Sequence, residues 1–151
     1  MGSLIRKAEV LFVFKQILVP TDFSKGSRQS LEIAHKIGLT EKGKIYLLHV
    51  IEILADTTFE QFKDFYARLE RRAQKQMGVL TKRYQGGQVQ VFQKIVYGNR
   101  VREILKFARD NKIDLIVMNS HKIDPQDPGQ GWGTISYKVG VLSHVPVMLV
   151  K

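Results

Sequence analysis

The run Asp114-Leu-Ile-Val-Met118 decides the fold. It is the most apolar strand-like segment of the chain and is expected inside a sheet. On its N-terminal side, Asn99 can cap a helix that carries Val101, Ile104, Leu105 and Ala108 on one face. Before that helix, Gln88-Val-Gln-Val-Phe-Gln-Lys-Ile-Val-Tyr97 partly alternates polar and apolar residues, which predicts an edge strand. Further back, Phe62, Phe65, Leu69, Ala73, Met77, Leu80 and Tyr84 recur at three- or four-residue spacing along the longest helix. Thr57-Thr-Phe-Glu60 reads as its capping box and Gly86-Gly87 as its end. Lys44-Ile-Tyr-Leu-Leu-His-Val-Ile51 is another strand, apolar on both faces as strands of parallel sheets are. A helix with Leu31, Ala34, Ile37 and Gly38 on its apolar face, capped by Ser24 or Ser27, separates it from the strand Lys15-Gln-Ile-Leu-Val-Pro20. On the C-terminal side, residues 119–132 form a loop too long to be only a connector. A short helix over residues 134–142, with Ile135, Val139 and Leu142 inward, then leads to the strand Val145-Pro-Val-Met-Leu-Val150.

Five strands joined by four crossover helices predict an α/β domain, a doubly wound parallel sheet with helices on both faces. Residues 15–151 carry this pattern and residues 1–14 precede it as an N-terminal extension. The length of 151 residues suits one domain with a sizeable core. The chain has no Cys, which excludes disulfides, a cysteine nucleophile and every thiolate metal site. No stretch approaches the ~20 apolar residues of a membrane span. The apolar run at residues 10–14 is too short for a secretory signal, so a cytoplasmic protein without a membrane partner is expected. The formal charge of +10 is unusual. Its basic residues are spread over three segments without the interleaved aromatics of a single-strand binder, so no specific nucleic-acid partner is expected.

In an open parallel sheet, ligands bind beyond the carboxyl ends of the strands, where strand order reverses. The informative segments are therefore Pro20-Thr-Asp-Phe-Ser24 and residues 119–135. The second contains Gly129-Gln-Gly-Trp-Gly-Thr134 directly before a helix, where close backbone approach and free N–H groups favour an anion.

Pro20-Thr-Asp-Phe-Ser24, Leu47-Leu-His-Val50, residues 98–108, Asp114-Leu-Ile-Val-Met-Asn-Ser-His121 and Gly133-Thr134 with the last strand resemble, in order and spacing, the hallmarks of the universal stress protein family. The resemblance implies strand order 3-2-1-4-5, an adenine nucleotide alpha hydrolase-like fold. It also implies a homodimer through the C-terminal strand and, in the nucleotide-binding members, an ATP or AMP site. On that resemblance Asp22 would hydrogen-bond the nucleoside and Val50 would pack on adenine, with backbone from Pro20 and Thr21 around the base, and Met118 would belong to the same nucleotide site. Asn119, His121 and Lys122 would surround ribose and phosphates, and Gly133, Thr134 and Ile135 would donate to phosphates. The family's binders carry Gly-x-x-Gly, nine residues, then Gly-Ser/Thr. Here Asn119 and Lys122 take the first two glycine positions, ten residues intervene, and Gly133-Thr134 is intact. Asn tolerates left-handed backbone well, whereas Lys122 is either a steric block or a cation beside the phosphates.

Each of these residues also has a plainer reading: Asp22 as a helix cap, Val50 as core. No two of the four His have metal-ligand spacing on one element, and His144 suits a helix C-terminus by charge. Asp110 and Asp114 belong to the connection before the fourth strand, and no nucleophile–base pair is evident. The expectation is a stress or signalling module that acts by binding and dimerisation, not an enzyme. The alternative is an interaction module of the same fold with an occluded site. Adenylating and flavodoxin-like relatives would need a phosphate loop after the first strand, and Pro20-Thr-Asp-Phe-Ser-Lys-Gly26 is not one.

Overall fold

The computed structural model describes residues 14–120, 125–126 and 134–151. His121, Lys122, Gly133 and most of the apolar run at residues 10–14 lie outside the described residues. The strands are β1 (Gln16–Pro20), β2 (Lys44–Glu52), β3 (Val91–Gly98), β4 (Leu115–Asn119) and β5 (Val147–Val150). They form one sheet in the order β3-β2-β1-β4-β5, every pair parallel. β4 is interior and β3 is an edge, as their hydrophobic patterns require. The helices among the described residues are α1 (Lys25–Glu41), α2 (Lys63–Thr81), α3 (Arg100–Asp110) and α4 (Ile135–Leu142).

Side chains alternate across the sheet, so each interior strand feeds two cores. Ile17 and Val19 of β1, with Leu115 and Val117 of β4, face Leu31 and Ala34 of α1 and Met77 of α2. Leu18, Ile116 and Met118 point the other way, against Ile104 and Ala108 of α3 and Val139 of α4. All of these are buried, and each full burial contributes about 1.5–3 kcal/mol before entropy for the larger aliphatic side chains. At the amino end of the sheet, the Asp114 carboxylate accepts from the backbone N–H of Lys15 and of Gln16. Asp114 therefore staples the start of β1 to the connection before β4, and its role is structural.

Three details of the helices differ from the sequence pattern. The reciprocal capping box is Thr58 with Gln61, one residue beyond Thr57 and Glu60: the Gln61 N–H donates to Thr58 Oγ1 and the Thr58 N–H to Gln61 Oε1. It opens a 3-10 turn (Glu60–Phe62) ahead of α2. Phe62 and Phe65 are not core. Tyr66 is fully buried in their place, with its hydroxyl accepting from Leu54 N–H, and that sets the phase of α2 through Ala73 and Met77. Leu142 is also not inward: it is the last residue of α4, Ser143 turns extended directly after it, and the buried positions of that helix are Ser136 and Val139.

Candidate functional site

The strand order reverses at β1, whose neighbours β2 and β4 send their connections to opposite faces of the sheet. Beyond the carboxyl ends of these strands lies a cavity of about 280 Å³. Its volume is near the lower bound, ~300 Å³, of sites that take small organic ligands. Pro20 at the end of β1, Thr21 and Asp22 just after it, Val50 of β2, Met118 and Asn119 of β4, and Thr134 and Ile135 at the start of α4 all line it.

The loop after β1 is held by a dense set of hydrogen bonds centred on Thr21, which is buried. Its N–H donates to the Leu48 carbonyl at 2.8 Å, continuing the β1–β2 ladder one residue past the strand. Its carbonyl accepts from His49 Nδ1 at 2.8 Å. Its hydroxyl donates to Ser27 Oγ at 3.0 Å and accepts from Phe23 N–H at 3.0 Å. Ser27 in turn donates to the Ser24 carbonyl, and Ser24 caps α1 by accepting from Ser27 N–H. Phe23 sits at φ 65°, a left-handed conformation costly for a large side chain, and its ring lies against the His49 imidazole at 4.5 Å between centroids.

Asp22 is not the cap of α1, which is Ser24; its Oδ1 accepts from Ser24 N–H at 3.0 Å, shaping the turn before the helix, and the residue lines the cavity. Burial raises its pKa, but hydrogen bonds from Ser24 and Ser27 outweigh this and hold the carboxyl below its ordinary value. Burial pushes the His49 pKa down, aided by Arg100, against the opposing pull of the Thr21 carbonyl and Asp22. His49 is thus a neutral ring at physiological pH, with its proton on Nδ1, where the Thr21 carbonyl fixes it.

On the other wall, Thr134 caps α4 by accepting from Tyr137 N–H at 3.2 Å. The leading N–H groups of a helix have no intrahelical acceptor, and this helix start forms part of the cavity. The Asn119 side chain packs on the first turn of α1: a Cβ built on Gly26 would stand 2.8 Å from Asn119 Nδ2.

Sequence reasoning missed Leu48, His49, Arg100, Ile104 and Ser136, which line the same cavity. Arg100 carried a readable signal: it opens α3 directly after Gly98-Asn99, at the carboxyl end of β3. It pairs with Glu52 at 3.6 Å, both side chains being about half exposed. His49 carries no metal-ligand spacing in the sequence, and its orientation comes from the tertiary contact with Thr21. Among the described residues no cluster of three His, Cys, Asp or Glu side chains could hold a metal ion. No helix among them is long and apolar enough to cross a membrane.

A doubly wound α/β domain with one cavity at its switch point, walled by a helix start, is the class of protein that the fold defines. A model of the universal stress protein family matches residues 14–151, so the chain belongs to that family. The universal stress protein MJ0531 of Methanocaldococcus jannaschii is 28% identical over 160 residues, spanning 100% of this chain and 89% of the relative. Universal stress protein MJ0577 of the same organism is 29% identical, over 92% of this chain and 96% of the relative. The solved structure of MJ0577 superposes with a TM-score of 0.78 over the same shares of the two chains. The fold is also shared with a universal stress protein in complex with cAMP (TM-score 0.63, 20% identity, 92% of this chain and 98% of that one). It is shared too with one from Archaeoglobus fulgidus in complex with dAMP (TM-score 0.60, 16% identity, 92% and 99%).

Proposed function

We propose that the chain is an adenine-nucleotide-binding module of the universal stress protein family, acting by binding and not by turnover. The observation that carries this reading is a convergence. Of the eleven residues that the family resemblance assigned to a nucleotide, eight line one cavity at the switch point, and the other three lie outside the described residues. Relatives of the same fold in complex with cAMP and dAMP support the choice of an adenine nucleotide. In this reading the base lies on Val50 and the phosphates approach the start of α4. Thr21 and Asp22 hold the nucleoside between β1 and β4. The neutral His49 positions Thr21, and among the described residues no side chain here forms a nucleophile–base pair.

Titration calorimetry with ATP, AMP and cAMP tests the reading. Saturable binding of at least one of them is expected, weakened about tenfold by Asp22→Ala and less by Asp22→Asn, which keeps the acceptor for Ser24. Failure of all three ligands to bind at millimolar concentration would leave the interaction module with an occluded site.

A further inference from the structure

Half of the chain's charge sits on α2 and the 3-10 turn Lys82–Tyr84 that follows it. Residues 63–84 hold seven Lys and Arg against two Asp and Glu, a net +5 of the total +10. Of those two acids, Glu70 is engaged by the Tyr97 hydroxyl at 3.0 Å. Arg83 is engaged by Glu32, but Arg68, Arg71, Arg72 and Lys75 have no acidic partner among the described residues. These four are exposed, because Tyr66, Ala73, Met77 and Thr81 turn the opposite side of α2 to the sheet.

The exposed side is not simply a solvated charged face. Phe65, Arg68, Arg72, Lys75 and Val79 follow each other at three- and four-residue steps, so they form one stripe along the helix. Its ends are apolar: Phe65 is 38% exposed and Val79 67%. Phe59 and Phe62 widen the Phe65 end, 41% and 40% exposed. Phe59 and Phe65 are fixed from behind. Phe59 stacks on Tyr66 at 5.6 Å and meets Tyr97 edge-on at 5.5 Å, and Phe65 meets Tyr66 at 5.5 Å. A rigid aromatic edge beside unpaired cations loses little side-chain entropy on docking.

We infer that the outer face of α2, with Phe59, Phe62 and Phe65, docks on an anionic lipid surface. The charge is complementary to anionic headgroups, and arginine and lysine stems can lie along the acyl boundary while their heads reach phosphate. Half-exposed phenylalanines fit the headgroup–acyl boundary, and a nucleic-acid backbone would have no use for them at this place. The docking is peripheral, so it needs no membrane-spanning segment, and it does not depend on the nucleotide site. The sequence alone spread the basic residues over three segments; folding turns one of them into a single face.

Co-sedimentation of the full chain with phosphatidylcholine vesicles, with and without phosphatidylserine, tests this inference. Binding is expected only with phosphatidylserine, falling with added salt and by roughly fivefold for each charge removed in Arg68→Ala, Arg72→Ala and Lys75→Ala. Phe62→Ser with Phe65→Ser should weaken binding to vesicles without changing competition by single-stranded RNA. Circular dichroism on each variant separates a lost surface from a lost fold. Three results would overturn the inference: equal binding to neutral vesicles, no binding to anionic vesicles at low salt, or RNA binding that outcompetes vesicles and ignores the phenylalanines.

Discussion

His49 Nδ1 lies 2.8 Å from the carbonyl oxygen of Thr21, and this contact ties the end of β2 to the loop that follows β1. Together with the Thr21 N–H on the Leu48 carbonyl, it holds both polar backbone groups of Thr21 against one neighbouring strand. The strained Phe23 conformation persists because Thr21 Oγ1 takes its N–H and His49 supports its ring. His49→Ala leaves a buried carbonyl without a donor and is expected to cost about 1–3 kcal/mol in urea unfolding. His49→Asn, whose amide can replace Nδ1 as donor, should recover much of that loss.

The same residue makes stability depend on pH. The folded-state pKa of His49 lies below its ordinary 6.5, so the unfolded chain takes up the proton first as pH falls. Stability from this group is therefore full above pH 6.5 and declines as pH drops below it toward the folded pKa. His35, lowered chiefly by burial and secondarily by Arg83, adds in the same direction. Urea midpoints measured from neutral pH down to about pH 5 should fall, and the slope should be shallower in His49→Asn.

Gly26 and Asn119 are coupled. A Cβ at Gly26 would meet Asn119 Nδ2 at 2.8 Å and its Cβ at 3.1 Å. Ala is the better helix former by up to about 1 kcal/mol, yet Gly26→Ala should not be stabilising while Asn119 is present. In an Asn119→Gly background the obstruction is gone and Gly26→Ala should become neutral or stabilising. A coupling of about 1 kcal/mol between the two changes, from a double-mutant cycle in urea, is the expected result.

The sheet was legible because its strands encode both cores at once: odd and even positions of residues 17–19 and 115–118 are all apolar. The cavity was legible for a different reason, since the topology fixes where β1 and β4 end. What the pattern could not supply was the helical phase where two aromatic registers compete. Phe62, Phe65 and Tyr66 all offer large apolar surface at the start of α2. Tyr66 wins because its hydroxyl also satisfies the Leu54 N–H, a tertiary bond with no sequence signature. His49 and Arg100 escaped for the same reason: their roles depend on partners 28 and 48 residues away, Thr21 and Glu52.

Tyr97 is expected to titrate late. Burial raises its pKa, and the Glu70 carboxylate, which accepts its hydroxyl at 3.0 Å, raises it further, to about 12. Spectrophotometric titration of the phenols should therefore show one component near the upper end of the accessible range. Glu70→Gln removes the charge but keeps an acceptor, and that component should move down toward 10. Without such a movement, the hydrogen bond between these residues is not formed in solution.

The outer strand β5 carries the last prediction, a homodimer. β5 pairs with β4 on one side, and its other edge is open among the described residues. An open edge presents unpaired N–H and C=O groups, which proteins usually cover. Here the neighbouring surface is apolar instead of charged: Met148 and Leu149 on the strand are over a third exposed, and Val141 and Leu142 at the end of α4 nearly two thirds. A second copy of the chain, related by a two-fold axis, would cover the edge and these side chains together. Sedimentation should give a dimer in the micromolar range that survives added salt, because apolar contact and backbone pairing, not ion pairs, hold it. Leu149→Lys with Leu142→Lys should shift it to monomer with little change in the fold, since both residues are already exposed in a single copy. A wild-type chain that stays monomeric at every concentration would remove the dimer.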